Sequence, residues 1–148
     1  MPVLSPPLDH AAIAGLVPHH GAMCLLDRAI AWDASRILCE TGRHRDDANP
    51  LRRDGMLPAV CGLEFALQAM ALHGAVGAAA AQSVGFVSSL RDIRMNVDRL
   101  DTVQAPLLIE AVALVAETGG FIYRFDITAD GRSLLSGQAA VILPGEAA

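Results

Sequence analysis

The chain contains no lysine. Schiff-base chemistry and serine–lysine nucleophile pairs are therefore excluded. All 11 basic residues are arginines, against 16 acidic ones, and the net charge is −5. That balance argues against nucleic acid as the main partner. Aromatics make up only 4% of the chain, so its core must be aliphatic and small-residue. The three cysteines, Cys24, Cys39 and Cys61, are too few and too scattered for a disulfide framework or a zinc site. Such sparse cysteine use fits a reduced, cytoplasmic setting. The N-terminal stretch has neither a basic region nor an apolar h-region, so no signal peptide is expected.

What is present is apolar residue, at 53% of 148 positions. One domain spanning 1–148 is expected, long enough to bury a core and still supply a subunit interface. The longest apolar stretch, Leu57 to Ala81, is rich in Ala, Leu and Met, which lose little side-chain entropy in a helix. Pro58 suits a first helical turn, where its missing N–H costs nothing. The stretch has about the length of a membrane span, ~20 residues. Glu64, Gln68 and His73 inside it argue instead for a buried core helix. Glu64 is the only carboxylate there, and a carboxylate in such surroundings must be paired, protonated or used.

Before the helix, residues 8–16 are expected to form a short helix capped by Asp9 and ended by Val17-Pro18. Strands follow over Met23–Trp32 and Arg36–Gly42, joined through Asp33-Ala34-Ser35. Residues 43–56, with four arginines, three aspartates, Asn49-Pro50 and Gly55, make a polar loop leading into the helix. Beyond the helix, strands are expected over Val84–Met95, Phe121–Thr128 and Ser133–Leu143, with a hairpin at Asp130-Gly131. Pro106–Glu117 is ambiguous by periodicity, and its β-branched content favours strand. One long antiparallel sheet wrapped on one buried helix is the economical α+β solution.

Two motifs add to this order. One is Val17-Pro18-His19-His20 followed by Met23-Cys24-Leu25-Leu26-Asp27-Arg28. The other is Leu57-Pro58-Ala59-Val60-Cys61-Gly62-Leu63-Glu64, followed by Ala66, Gln68 and Ala69. Together they resemble the 3-hydroxyacyl-(acyl-carrier-protein) dehydratases. That resemblance implies the hot-dog fold, in which a curved sheet wraps a central helix. It places Glu64 on the family's catalytic acid and Gln68 on its helix glutamine. The family's catalytic histidine would fall at Pro50, so the chain departs from the pattern there. His44 is the nearest histidine in the preceding loop, twenty residues before Glu64. The run His44, Asn49, Pro50, Leu51, then Leu57-Pro58-Ala59, is similar to a divergent subgroup associated with aryl-polyene and related polyketide-type pathways.

Dehydrating a 3-hydroxyacyl thioester needs a base for the α-proton, an acid for the leaving hydroxyl and a donor for the thioester oxygen. A histidine suits the first role. His44 is the displaced counterpart under the resemblance, with His19 as a supporting candidate. Glu64 suits the second if burial raises its pKa. Backbone N–H groups at Val60, Cys61 and Gly62 could serve the third. Substrate contacts are expected at Ala59 to Gly62 and at Asn49 and Pro50. Gln68, one turn after Glu64, could orient it. No metal or organic cofactor is required.

Under the resemblance, the partners are an acyl-carrier protein or coenzyme A thioester and a second subunit, as a homodimer or a dimer-based oligomer. Each active site would then draw on both chains. Arg52 and Arg53 would meet an acidic carrier and its phosphate. Plainer roles stay open. Glu64 could be a structural carboxylate paired with an arginine, His44 a loop histidine, His19 a packing or capping residue, and His73 a core or interface residue. Cys61 reads as a core filler, and the arginines read as a solvated loop face. A hot-dog thioesterase, a non-catalytic hot-dog subunit and an unrelated α+β domain are the rival readings.

Overall fold

A computed structural model describes residues 4–18, 21–78, 85–117 and 119–143. Strand β1 (Leu8–Asp9) leads into helix α1 (His10–Ala14). Strands β2 (Arg28–Trp32) and β3 (Arg36–Thr41) come next, then helix α2 (Gly62–Ala78). Four strands follow: β4 (Phe86–Met95), β5 (Leu107–Glu117), β6 (Gly120–Ala129) and β7 (Arg132–Ile142). All seven strands form one sheet in the order β1-β2-β3-β5-β6-β7-β4. Every neighbouring pair is antiparallel. Helix α2 packs against β3, β5 and β6, so the sheet wraps the helix as expected.

The period-two pattern decides the strands. In β6, Tyr123, Phe125, Ile127 and Ala129 are buried while Arg124 faces out. In β5, Leu107, Ile109 and Ala111 alternate inward, which resolves the ambiguity of that segment in favour of strand. The β6–β7 turn places Asp130 at φ 51° and Gly131 at φ 75°, the left-handed pair that a two-residue hairpin requires. Asp33 closes the β2–β3 turn by accepting from the backbone N–H groups of Ser35 and Arg36 at 2.8 and 3.0 Å. Asp9 caps α1 through the Ala12 N–H at 2.9 Å.

Some boundaries differ from expectation. Strand β2 begins at Arg28 rather than Met23, because side chains take the backbone bonds of Met23 and Leu25 that a neighbouring strand would otherwise supply. The main helix begins at Gly62. Ala59–Cys61 ahead of it form a tighter 3-10 turn, and the expected residues 79–81 lie outside the described residues. Val84, expected to open β4, also lies outside them. The first helix is shorter than the expected 8–16: Leu8–Asp9 pair with β2 as strand β1, and the helix runs only over His10–Ala14.

The segment Ala59–Gly77 is long and apolar enough to cross a membrane, but its residues are mostly inside the sheet. Phe65, Ala66, Ala69, Leu72 and Ala75 are fully buried. Burying such side chains contributes roughly 25 cal/mol per Å² of apolar area removed from water. At the helix start a glycine is required by space. A Cβ on Gly62 would lie 2.6 Å from Leu135 Cδ2 and 3.1 Å from Ile127 Cδ1. Gly62→Val is expected to cost about 1–3 kcal/mol through overpacking. Urea unfolding measures this, and an unchanged midpoint would show that the helix start can move off β6 and β7.

Candidate functional site

The segment that leads into α2, Leu57–Ala59, is held in a bracket formed by residues 98–103. The Ala59 N–H donates to Asp98 O at 3.0 Å, and the Leu100 N–H to Leu57 O at 2.8 Å. Asp101 Oδ1 accepts from the Leu57 N–H at 2.9 Å and from Arg99 Nε at 3.0 Å. The Arg99 guanidinium bonded to Asp101 holds its carboxyl well below the usual carboxylate range, against the opposing effect of burial. Asp101 lies 44 residues from Leu57, and no local spacing signals the pairing.

Glu64 stands in the first turn of α2 and is half-buried. Cys61, one turn earlier, sits in the fields of both Glu64 and Arg53. Burial pushes the Cys61 thiol up, Glu64 pushes it further, and Arg53 partly offsets them. The thiol therefore stays protonated, as befits a filler rather than a nucleophile. Of the backbone donors expected to be free, two are spent. Cys61 N–H bonds Pro58 O at 3.0 Å, and Gly62 N–H turns back onto Ala59 and Val60 carbonyls. Ala59 is buried and its N–H is taken by Asp98. Val60 is half-exposed and remains as the candidate donor of that trio.

Gln68 is fully buried and does not stand idle beside Glu64. Its Oε1 accepts from the Leu25 N–H at 2.8 Å, and its Nε2 donates to Met23 O at 2.6 Å. Thr41 Oγ1 donates to Leu25 O at 2.6 Å. Asp27 accepts from the Gly42 N–H at 2.8 Å and from Arg43 Nε at 2.7 Å. The Met23–Asp27 strap is thus tied to α2 on one side and to the end of β3 on the other. His19 and His20, which precede it, lie outside the described residues.

His44 is fully buried in a 3-10 turn, Arg43–Arg45. Its Nε2–H donates to Val103 O at 2.9 Å, which fixes the tautomer. Nδ1 is buried with no hydrogen-bond partner among the described residues, so neither ring nitrogen is bonded to Glu64. Asn49 is buried too, its amide closing the loop onto Arg43 O and the Leu51 N–H, both at 2.9 Å. Pro50 is exposed. The Arg52 side chain is only 13% exposed and donates to Gly55 O and His44 O, so it braces the loop. Arg53 is exposed, with Nη1 on the carbonyls of Pro50 and Arg52. His73, at the far end of α2, is buried. Its Nε2–H donates to Asp33 O at 2.8 Å, and its Nδ1 accepts from the Tyr123 hydroxyl at 2.6 Å. Among the described residues no three His, Cys, Asp or Glu side chains gather as a metal site.

The buried state of His44 carries a pH signature. Desolvation, with the charges of Arg45 and Arg52, pushes its ring below the usual 6.5, partly opposed by the carbonyls of Val103 and Ala105. The unfolded chain therefore binds more protons between the folded value and about 6.5, and stability rises with pH across that window. It is fully present above the window and lost as pH falls through it. His44→Gln cannot titrate and is expected to have a shallower slope between pH 7.5 and 5.5, read by urea unfolding at each pH. An identical slope in both proteins would remove His44 from that account.

The geometry agrees with known proteins. The chain is similar to a chain of the dehydratase heterocomplex ApeI:P from Xenorhabdus doucetiae. That chain superimposes with a TM-score of 0.79 at 22% identity, over 90% of this chain and 91% of that one. A variant thioesterase from Pseudomonas aeruginosa superimposes at 0.55 and 10% identity, covering 78% of each chain. A hypothetical thioesterase with coenzyme A from Streptococcus pneumoniae does so at 0.55 and 15%, covering 80% and 85%. These likenesses establish the hot-dog fold. No curated protein matches the chain. The sequence itself matches the ApeP-like family, ApeP dehydratase, over residues 11–148. With nearly the whole chain matched, this protein belongs to the ApeP-like dehydratases.

Proposed function

We propose that the chain removes water from a 3-hydroxyacyl thioester, carried on an acyl-carrier protein or coenzyme A, to give a trans-2-enoyl thioester. The observation that carries this reading is a carboxylate, Glu64, at the head of the central helix in a member of a dehydratase family. A base takes the α-proton, the electron pair moves to form the C2–C3 double bond, and the C3–O bond breaks. Glu64 supplies a proton to the departing hydroxyl, which leaves as water. The Val60 N–H is the proposed donor to the thioester oxygen.

His44 is the proposed base, and it would act through Nδ1, since Nε2–H is committed to Val103. That nitrogen is closed off within one subunit, so the 43–45 turn and the bracket must part to admit substrate. His19 is the alternative base. For carrier contact, Arg53 is the better placed of the two proposed arginines, because Arg52 is folded into its own loop.

We also infer a second subunit on β4. This ten-residue strand is at the sheet edge, pairs among the described residues only with β7, and exposes Phe86, Val87, Leu90 and Met95. An open apolar edge of that length is a template for strand pairing. Met95 pairs with Leu135, the residue against which Gly62 packs, so a subunit there would border the turn carrying Glu64. Pairing of two copies is the proposal. Pairing with a related dehydratase chain, as in the heterocomplex named above, is the other outcome.

Glu64→Gln is expected to lower turnover of a 3-hydroxyacyl thioester by about 100-fold or more, with folding intact. Enone absorbance follows the reaction, and His44→Ala and His19→Ala measured alongside assign the base. Release of free thiol instead of an enoyl product would favour the thioesterase reading. No turnover on carrier-linked substrate would favour a non-catalytic subunit. Leu90→Arg should shift the assembly toward monomer in sedimentation, and an unchanged mass would move the interface off β4.

A further inference from the structure

Gln68 makes a two-point bond to the Met23–Leu25 strap. One amide oxygen takes the Leu25 N–H and the amide nitrogen gives to Met23 O. Only one orientation of the amide satisfies both groups, so the side chain is locked against a flip. The pattern copies a rung of an antiparallel ladder, with a side chain standing where a strand would be. On the other side of the strap, Thr41 holds Leu25 O, and Asp27 holds the Gly42 N–H.

Hydrophobic burial does not need this bond. Cys24, Leu25 and Leu26 are fully buried and keep the strap against the core whatever Gln68 does. What Gln68 adds is register: it fixes where along α2 the strap crosses. The crossing lies close to Glu64. Residues four apart share a helix face, with Cβ atoms roughly 5–6 Å apart.

We propose that Gln68 is a positioning residue for the elimination, setting the strap one helical turn from Glu64 rather than orienting Glu64 itself. The proposal rests on the dehydratase reading of Glu64. Its effect falls on the placement of the reacting atoms against the acid, and displacements of about 1 Å in such sites cost up to about 100-fold in rate.

The test uses the full chain, a 3-hydroxyacyl N-acetylcysteamine thioester as probe, and two variants. Gln68→Met keeps the volume and removes both bonds. It is expected to lower kcat about tenfold or more while KM stays within about threefold. Amide exchange should speed up at residues 23–27 and not across β5 and β6. Gln68→Glu supplies the discriminating signal. As a carboxylate it can accept from the Leu25 N–H but cannot donate to Met23 O, whereas the protonated form does both. Its kcat relative to wild type should therefore recover as pH falls. A deficit in Gln68→Glu that does not change with pH would overturn the proposal, as would an unchanged kcat in Gln68→Met. An inactive wild type would instead overturn the dehydratase reading, and this role with it. Active wild type with an indifferent Gln68→Met would overturn the role alone.

Discussion

A helix buried on most of its circumference has to satisfy every polar group it carries, because water cannot. Helix α2 carries Glu64, Gln68 and His73 among aliphatic neighbours. Unpaired, each buried polar group would cost about 1–3 kcal/mol. Gln68 and His73 find partners from outside the helix, and each partner ties down a different piece of chain. Gln68 fixes the Met23–Leu25 strap, while His73 fixes Asp33 in the β2–β3 turn and Tyr123 in β6. The strap, the turn and the strand are placed by what the helix must bond. Glu64, at the half-buried end, sits where the helix meets the loops.

The loops follow the same logic. His44, Asn49 and Arg52 fold the polar segment 43–56 onto itself and onto the bracket at 98–103. Asp101 and Arg99 fasten that bracket to Leu57. Residues that look like a charged, solvated run in the sequence thus include three that face inward. Separate chain segments thus converge on the head of α2, where Glu64 and the Val60 N–H lie one turn apart.

The two faces of the sheet have different roles. The inner face packs the helix through alternating buried side chains of β3, β5 and β6. Strand β4 extends this face beyond the helix's cover, leaving Val87, Leu90 and Met95 exposed. Its bulge at Arg91–Arg94, with Asp92 at φ 54°, accommodates Ile93 against Gly137, where any Cβ would clash at 2.4 Å. The strand is therefore shaped on its inner side as well as open at its edge.

The sequence by itself determined the central helix, the later strands, the Asp130-Gly131 hairpin and the prominence of Glu64. Each rests on local chemistry: helix propensity, period-two burial, a turn that needs left-handed residues, and one carboxylate in an apolar run. Only the tertiary structure decided that Met23–Asp27 is a strap rather than a strand, since the bonds come from Gln68 and Thr41, 43 and 16 residues from Leu25. It alone turned His44 onto Val103, 59 residues away, and Arg52 into its own loop. It also consumed the N–H groups of Cys61 and Gly62 in a 3-10 turn where a free helix end was expected. Local pattern states which residues want burial or a bend. Which distant carbonyl or amide a polar side chain meets depends on how the sheet closes around the helix, and no short window of sequence contains that information.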